Sequence, residues 1–310
     1  MANNKDLQQA NRNKKDEFFT QLTDIEKEMK YYKDYFKNKI VFCNCDDPEE
    51  SNFWKYFELN FSHLGLKKLI STHYETDKPS YKLELVRDIN NNGKINQLDI
   101  IKTPLKEGGD FRSKECVEIL KEADVIVTNP PFSLFREYLG QLMEYDKKFI
   151  ILGNVNAITY KEVFPLLKNN KIWLGASIHS GDREFRIPDD YPITAAGFRI
   201  DEEGNKFIRI KGIRWYTNID YPQRHEDIIL YKKYNEEEYP KYDNYDAINV
   251  NVTAEIPEDY DGVMGVPITF IDKYNPEQFE LVKFRKGNDE KDLCINGKCP
   301  YFRILIKRKK

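Results

Sequence analysis

The sequence has no long apolar run, few cysteines and a small net charge, and each scarcity excludes a class of protein. None of its apolar runs approaches the ~20 residues that a membrane-spanning helix needs. The first residues, MANNKDLQQANRNKKDEFF, are polar and contain no apolar signal core. We therefore expect a cytoplasmic protein without a membrane partner.

The five cysteines argue against a disulfide-rich or zinc-binding protein. Cys43 and Cys45 are two positions apart and Cys294 and Cys299 are five apart, so neither pair has the spacing of a common zinc knuckle. We predict no metal site, and free thiols in a reducing compartment. The net charge of −3 neither requires nor excludes nucleic acid, because binding depends on local basic patches.

The sequence does contain a regular alternation of apolar strands and amphipathic helices. Hydrophobic residues make up 40% of the chain, which is enough for a core. The predicted strands are 39–45, 67–75, 98–105, 124–128, 147–154 and 171–175. The predicted helices are 22–37, 51–64, 113–122, 132–145 and 158–170. Strand and helix alternation with short connections predicts an α/β fold with a doubly wound, mostly parallel sheet.

The composition changes after residue 175, where short β-like pieces alternate with turns rich in Arg and Tyr. Strand character returns at GVMGVPITFI and in the C-terminal CPYFRILIKRKK. We predict a flexible N-terminal segment, a main α/β domain, a smaller module, and a return to the main sheet that ends in a basic tail. Their boundaries are 1–15, 16–175, 176–245 and 246–310.

The stretch DVIVTNPPF, residues 124–132, ends a predicted buried strand in a stiff corner. Consecutive prolines cannot continue a strand ladder, and in open α/β sheets ligands bind at the carboxyl ends of strands. The plain alternative is a turn that only breaks the strand. The placement of this corner between a strand and a helix favours a site.

The residue types of this corner suit methylation of an amino group on an aromatic ring. The Asn129 side-chain oxygen and the Pro130 carbonyl can accept both N–H bonds of such an amine. Pro131 favours an extended conformation in the residue before it, which helps to aim that carbonyl. Phe132 offers a ring face for stacking a base. We predict these four residues to be catalytic, through positioning and hydrogen bonds.

Acidic and aromatic residues after the neighbouring strands suit a methyl donor that carries a sulfonium, an adenosine and an amino-acid end. An acidic run after the first strand would face the donor's amine, and an acid after the second suits ribose hydroxyls. A Gly-Asp-Phe sequence offers an acceptor and a ring for adenine. Each acid alone could be a cap or turn residue, but together they favour a site. The candidates are Cys45, Asp46, Asp47, Glu75, Asp110 and Phe111.

Beyond these motifs, the sequence resembles the EcoRI-type adenine-specific DNA methyltransferases over nearly its whole length. The strings that carry the resemblance include VFCNCDDPEESNFWKYF, GDFRS, VTNPPFSLFREYL and NVNAITYKEVFPLLKNNKIWLG. The resemblance implies a Rossmann-like methyltransferase fold, with a mostly parallel seven-stranded sheet and a smaller β-rich DNA-recognition module. The first-strand motif lacks the glycine of the superfamily pattern, which leaves open which of Cys45, Asp46 and Asp47 contacts the cofactor.

The family further implies transfer of a methyl group from S-adenosylmethionine to N6 of an adenine that is flipped out of double-stranded DNA. The segment DEFFTQ, residues 16–21, resembles the N-terminal cofactor motif of related enzymes, which adds Phe19 and Thr20 to the cofactor-binding residues. Asp110 matches their adenine-contacting acid. A GAATTC-like target, a restriction-modification or an orphan or phage context, a possible cognate endonuclease and a monomeric state are further expectations.

The Arg-rich stretch at 176–245 is the candidate reader of DNA, because phosphates attract Lys and Arg and base edges suit Arg. For any single arginine, the alternative is a solvated charged face. The predicted DNA-binding residues are Arg183, Arg186, Arg199, Arg214 and Arg224.

Three other functions suit the same corner. It could methylate guanine N2 in ribosomal RNA or a glutamine amide in a protein, or belong to a DNA-binding module without activity. The Arg-rich stretch favours an extended nucleic acid as the substrate. The intact corner at 129–132 and Asp110 favour a working enzyme over a silent module.

Overall fold

The computed structural model describes residues 18–45, 47–74, 79–86, 95, 99–188 and 197–309. Two compact units share the chain: unit 1 contains Met1–Val155 and Gly175–Ile219, and unit 2 contains Asn156–Leu174 and Asp220–Lys310. The predicted flexible segment 1–15 lies outside the described residues. In the described part of the chain, no helix has the length and apolarity that crossing a bilayer would require.

The strands and helices alternate through the first half of the chain, and strands dominate the second half. The strands are β1 (Phe19–Thr20), β2 (Ile40–Cys43), β3 (Lys68–His73), β4 (Tyr81–Leu85), β5 (Ile100–Pro104), β6 (Val125–Thr128), β7 (Lys148–Asn154), β8 (Trp173–Leu174), β9 (Asp182–Ile187), β10 (Arg199–Ile200), β11 (Lys206–Lys211), β12 (Ile213–Thr217), β13 (Ile248–Asn249), β14 (Met264–Pro267), β15 (Phe279–Phe284) and β16 (Arg303–Arg308). The α-helices are α1 (Leu22–Met29), α2 (Asn52–Leu59), α3 (Phe61–Leu64), α4 (Lys114–Glu122), α5 (Phe135–Glu144) and α6 (Phe164–Lys168). The 3₁₀ helices are Lys30–Phe36, Phe132–Leu134, Val155–Thr159, Pro222–His225, Thr253–Glu255 and Ile268–Lys273.

The main sheet of unit 1 has its strands in the order β5, β4, β3, β2, β6, β7 and β12. The central strands β3, β2, β6 and β7 are parallel to one another. The pairs β3–β4, β4–β5 and β7–β12 are antiparallel. Every residue of β2 and β6 is buried, which explains why these strands are uninterrupted apolar runs rather than alternating ones. The predicted α/β class is confirmed, and the sheet is mixed.

The predicted helices are found in place, but four of the five differ locally. The predicted helix 132–145 begins as the 3₁₀ helix Phe132–Leu134, and of the predicted helix 158–170 only Phe164–Lys168 is α-helical. Ser113 caps α4 as predicted, because its hydroxyl accepts a hydrogen bond from the Cys116 amide at 3.2 Å. The predicted helix 51–64 is interrupted at Asn60, so it consists of α2 and α3. The predicted helix 22–37 contains α1 and then continues as the 3₁₀ helix Lys30–Phe36.

A second sheet in unit 1, which we call the small sheet, has the order β1, β9, β11 and β10. Its pairings are antiparallel, and Thr20 lies opposite Phe185. The small sheet therefore joins the N-terminal motif to the first part of the Arg-rich stretch. The remainder of that stretch, from Asp220, belongs to unit 2, so residues 176–245 are not one contiguous module.

Unit 2 contains a sheet of its own, in the order β13, β14, β16 and β15. This corrects the expectation that 246–310 returns to the main sheet. Apolar periodicity indicates that a strand is buried, but it does not specify which sheet the strand joins. A cluster of buried residues around Tyr242, Ala247, Leu293 and Leu305 packs within this unit.

Cys294 and Cys299 form a disulfide, which corrects the expectation of free thiols at these positions. Ile295 pairs with Lys298 in an antiparallel bridge, and the turn between them uses two left-handed residues, Asn296 and Gly297. This turn places the two cysteines opposite each other. Free thiols are present at the other cysteines, Cys43, Cys45 and Cys116.

Candidate active site

The predicted corner and the predicted first-strand loop lie side by side at the carboxyl edge of the main sheet. β2 pairs in parallel with both β3 and β6, so the segments that follow these strands leave the sheet at the same edge. At this edge the Thr128 hydroxyl donates a hydrogen bond to the Asn44 carbonyl oxygen. The main sheet thus brings together two motifs that are far apart in the sequence.

Asn129 carries a buried hydrogen-bond acceptor that has no partner among the described residues. Its side-chain Nδ2 donates to the Phe18 carbonyl oxygen at 2.6 Å, which fixes the orientation of the amide. Its Oδ1 is buried, and Asn129 as a whole is 7% exposed. An unpaired buried acceptor costs about 1–3 kcal/mol, so a donor that reached this oxygen would be stabilising.

Phe132 completes the corner with a partly exposed aromatic ring. Pro131 has φ −52° and ψ 125°, and the 3₁₀ helix Phe132–Leu134 then leads into α5. The Phe132 ring centroid lies 5.7 Å from that of Phe18 and 6.4 Å from that of Phe185, both of which are buried. The two buried rings pack against the Phe132 ring and fix its position, while part of the Phe132 ring remains accessible.

The N-terminal motif lies beside this corner. Thr20 is buried, and its carbonyl oxygen accepts a hydrogen bond from the Asn52 side chain at 2.7 Å. The Thr20 hydroxyl is buried without a partner among the described residues. Phe19, which is also buried, pairs with Arg186 across the small sheet. The segment Phe18–Thr20 is therefore fixed by strand pairing in the small sheet and by hydrogen bonds from Asn52 of α2 and from Asn129.

The loop after β2 begins with Asn44, whose side chain is buried and makes several contacts. The Asn44 Oδ1 accepts hydrogen bonds from the Cys45 amide at 2.8 Å and from the Thr72 hydroxyl at 3.1 Å. Its Nδ2 is buried, and the Asn44 amide also interacts with the Tyr138 hydroxyl. Cys45 adopts a left-handed conformation with φ 61°, which turns the chain sharply. Asp46, a predicted cofactor residue, lies outside the described residues.

Asp47 places a carboxylate at this loop and does not cap α2. Its Oδ2 lies 3.0 Å from the His73 Nδ1 at the end of β3, and its Oδ1 accepts from the Glu49 amide at 2.9 Å. The cap of α2 is Ser51, whose hydroxyl accepts from the Phe53 amide at 3.0 Å. The capping alternative for Asp47 is therefore removed.

The Gly-Asp-Phe loop lies directly against the end of β3. Gly109 has φ +75°, and a Cβ at this position would lie 2.4 Å from the His73 carbonyl oxygen, so only glycine fits. The Asp110 carboxylate accepts from the Arg112 Nε at 2.8 Å and from its Nη2 at 2.6 Å. Asp110 is thus at the predicted edge, with its charge balanced by a neighbouring guanidinium.

Phe111 lies under the loop rather than on its surface. Its ring is 5% exposed and packs edge-to-face on Tyr138, with centroids 5.1 Å apart. Burial, reinforced by nearby Cys45, raises the pKa of Tyr138, so the phenol stays protonated. Glu75, the predicted ribose-binding acid, lies outside the described residues.

The predicted DNA-binding arginines divide into two groups. Arg183, Arg186 and Arg199 belong to the small sheet and are at least partly exposed. Arg214 is 4% exposed, and Arg224 is 7% exposed. Burial removes the last two from the set that could reach DNA in this conformation, which corrects their assignment.

The two buried arginines have structural partners within their own units. Arg214 donates to the carbonyl oxygens of Ile213 at 2.8 Å and His179 at 2.7 Å. Arg224 donates to Asn170 and lies 3.2 Å from the Asp220 carboxylate. The number of arginines in a sequence does not show which are buried and which are exposed, because an Arg-rich stretch can contain buried and exposed arginines alike.

Three residues of the site region lie within the predicted motifs, but the sequence assigned none of them a role of its own. These are Phe18, which orients Asn129, Asn44, which lies at the end of β2, and Phe185, which backs Phe132. Asn44 could have been found, because it is the first polar residue after a buried apolar run at the carboxyl edge. The roles of Phe18 and Phe185 depend on the pairing of β1 with β9, for which the sequence carries no local signal.

Comparison with known proteins identifies the family of this chain. Residues 6–309 match the family model described as adenine-specific methyltransferase EcoRI. The chain is 56% identical over 321 aligned positions to the type II methyltransferase M.EcoRI of Escherichia coli, covering 100% of this chain and 98% of the relative. It is 39% identical to M.MgeORF184P of Mycoplasma genitalium, covering 96% and 97% of the two chains, and 38% identical to M.MpnI of Mycoplasma pneumoniae, covering 97% of each. The chain therefore belongs to the EcoRI family of adenine-specific methyltransferases.

Proposed function

We propose that this chain is a site-specific DNA methyltransferase that uses S-adenosylmethionine to methylate N6 of an adenine flipped out of double-stranded DNA. The observation that carries the proposal is the Asn129 Oδ1, a buried acceptor without a partner among the described residues. It lies at the carboxyl end of β6, and its orientation is fixed by the Phe18 carbonyl. The family membership of the chain supports the same chemistry.

The corner overcomes the poor nucleophilicity of an aromatic amine by positioning it. The lone pair of adenine N6 is delocalised into the ring, and two acceptors on its N–H bonds draw the nitrogen toward a tetrahedral shape. Asn129 Oδ1 and the Pro130 carbonyl are these acceptors. The residues from Asn129 to Phe132 include no ionisable side chain, so the corner acts through hydrogen bonds, and the amine loses its proton after attack.

Phe132 holds the flipped base by stacking. An adenine inside duplex DNA is not accessible, so the base must leave the stack and find a replacement for its lost stacking energy. The accessible part of the Phe132 ring, backed by Phe18 and Phe185, provides it. The corner therefore recognises the amino group and the ring of the same base.

The carboxyl edge of the main sheet suits the donor. Bound S-adenosylmethionine supplies an electrophilic methyl group. The fit is supported by the Thr20 hydroxyl, which is buried without a partner among the described residues, and by the Asp47 carboxylate in the loop after β2. Described residues that would hold the donor are Phe19, Thr20, Cys45, Asp47 and Asp110, and the buried Phe111 would support the Asp110 loop. Asp46 and Glu75, which lie outside the described residues, remain proposed donor contacts.

The DNA partner and the biological setting follow from the same assignment. Three arginines of the small sheet would contact DNA: Arg199, which is exposed, and Arg183 and Arg186, which are partly exposed. We propose a restriction-modification setting, since the relatives are named type II methyltransferases, with a GAATTC-like target and a monomeric enzyme.

The proposal is tested with tritiated S-adenosylmethionine offered together with plasmid DNA, ribosomal RNA and a mixed protein fraction. We expect label in the DNA alone, and sequencing for modified adenine then maps the target site. Label in ribosomal RNA or protein, with none in DNA, would overturn the proposal in favour of a guanine-N2 or glutamine methyltransferase. DNA binding without label in any fraction would point to a silent binding module.

A further inference from the structure

The exposed face of the small sheet carries arginines that already have carboxylate partners. Arg199 holds Glu184 in a two-pronged contact, with Nε at 2.8 Å from Oε1 and Nη2 at 2.6 Å from Oε2. Arg209 lies 3.7 Å from the same carboxylate, on the neighbouring strand. A single glutamate therefore pairs with two cations.

Glu184 is well placed for this role. Strand pairing sets it opposite Arg209, and Arg199 on β10 reaches it from the far side of β11. The Glu184 side chain is 24% exposed, whereas those of Arg199 and Arg209 are 46% and 61% exposed. The two guanidiniums thus face solvent around a more sheltered carboxylate.

Arg199 is further restrained by an aromatic ring. Its guanidinium carbon lies 4.2 Å from the Phe207 ring centroid, and Phe207 pairs directly with Arg199 across the sheet. A guanidinium that is stacked on a ring and forked onto a carboxylate is held in one orientation. An arginine with a fixed orientation suits a directional contact with a base edge better than a contact with the mobile phosphate backbone.

We propose that Glu184 is a specificity-determining residue that keeps Arg199 and Arg209 from binding the phosphates of non-target DNA. The proposal rests on the proposed function, because it assumes that the small sheet faces DNA. The carboxylate acts in two ways: it occupies the guanidiniums, and its negative charge repels the backbone. Target DNA overcomes both effects with contacts that non-target DNA lacks.

The decisive variant is Glu184→Gln, which keeps the shape and removes the charge. The probe for non-target binding is a duplex of alternating G and C, which has no adenine to methylate, and its affinity is measured by fluorescence anisotropy over a range of salt concentrations. Each new phosphate contact adds about −0.9 to the slope of log K against log salt, so release of two arginines steepens it by about 0.9 to 1.8. We expect non-target affinity to rise by about threefold to tenfold at moderate salt.

The matched control is Glu202→Gln, in the turn between β10 and β11. It removes the same charge from the same sheet, and we expect the wild-type salt slope. The double variant Glu184→Gln with Arg199→Ala should return the slope toward the wild-type value, because the released contact is lost again. In methylation assays, Glu184→Gln should lower the ratio of kcat/KM between the mapped site and a site changed at one base pair.

Two results would overturn the proposal. One is a Glu184→Gln variant with wild-type affinity and slope on the alternating duplex. The other is an equal change in Glu202→Gln, which would assign the effect to net charge alone. Failure of the wild-type chain to bind and methylate plasmid DNA would instead contradict the proposed function, so the two failures are distinguishable.

Discussion

The candidate catalytic corner and the exposed face of the small sheet differ in how their polar groups are paired. At the corner, a buried polar atom of Asn129 has no partner among the described residues. On the small sheet, Arg186, Arg199 and Arg209 are exposed, and each is paired with a carboxylate. The Asn129 oxygen can accept a hydrogen bond without losing one. The arginines of the sheet must give up a carboxylate before they can bind another anion.

This difference predicts how the two regions respond to change. A missing partner in a buried place is costly, so the corner gains strongly from the ligand that supplies it. Exposed ion pairs are worth about 0–1 kcal/mol each, so their exchange changes specificity more than stability. Substitutions at the corner should abolish chemistry, and substitutions on the sheet should shift binding.

The largest effect is expected from Asn129→Ala. Loss of an acceptor for the reacting amine should lower the methyl-transfer rate by about 10²–10³-fold or more, by analogy with removal of one preorganised hydrogen-bonding group. Cofactor affinity, measured by calorimetry, should fall much less than the rate. Asn129 contacts the proposed donor segment only through the Phe18 carbonyl, and that segment is also held by β9 and Asn52.

The control for this variant is Asn60→Ala, which removes another amide that donates to a carbonyl, that of Tyr56, away from the corner. It should keep wild-type activity. In folded Asn129→Ala, a loss of cofactor affinity as large as the loss of methyl-transfer rate would contradict the role that we assign to this side chain.

The second-largest effect is a difference in the free energy of unfolding between variants at a buried and at an exposed arginine. Arg214→Ala should lower the free energy of unfolding by about 2–4 kcal/mol, because it removes buried packing and leaves two carbonyl oxygens without their donor. Arg209→Ala, on the exposed face, should change it by less than about 0.5 kcal/mol.

Urea denaturation followed by circular dichroism measures both variants. Equal stabilities for the two variants would show that the buried Arg214 contributes no more to folding than the exposed Arg209.

The smallest effect concerns the pH dependence of the small sheet. The hydrogen bonds from Arg199 lower the pKa of Glu184 in the folded protein. A lowered pKa means that the stabilisation is fully present above the unfolded value of Glu184, near 4.5. It is lost as the pH falls through the lowered folded value.

The measurement is the difference in unfolding free energy between wild type and Glu184→Gln from pH 6 down to pH 3. We expect about 0.5–1 kcal/mol above pH 5, shrinking toward zero in acid. A difference that grows as the pH falls would have the wrong sign for this ion pair.

Much of the main sheet was predictable because its signals are local. The buried strands β2 and β6, the Ser113 cap and the corner after β6 each follow from residue types that are neighbours in the sequence. The separate sheet of unit 2 was not predictable in this way. Its strands look like any buried strand, and their partners are chosen by tertiary packing.

The candidate site shows the same limit. The sequence identified the corner and the acid Asp47, both of which lie at the carboxyl edge of the main sheet. It did not identify Phe18 as the partner of Asn129, a contact between residues 111 positions apart. It also could not separate Arg214 from Arg199, because the exposed fraction of a side chain depends on what packs over it.

By itself, the sequence determined the chemistry that this protein can offer: two acceptors and a ring in one corner, acids after neighbouring strands, and membership of a methyltransferase family. Only the tertiary structure decided which way the Asn129 amide points, which arginines remain exposed and which carboxylate holds them. The physical reason is the sequence distance over which each effect acts. Residue type and spacing act locally, whereas burial and hydrogen-bond partners are set by segments that meet only when the chain has folded.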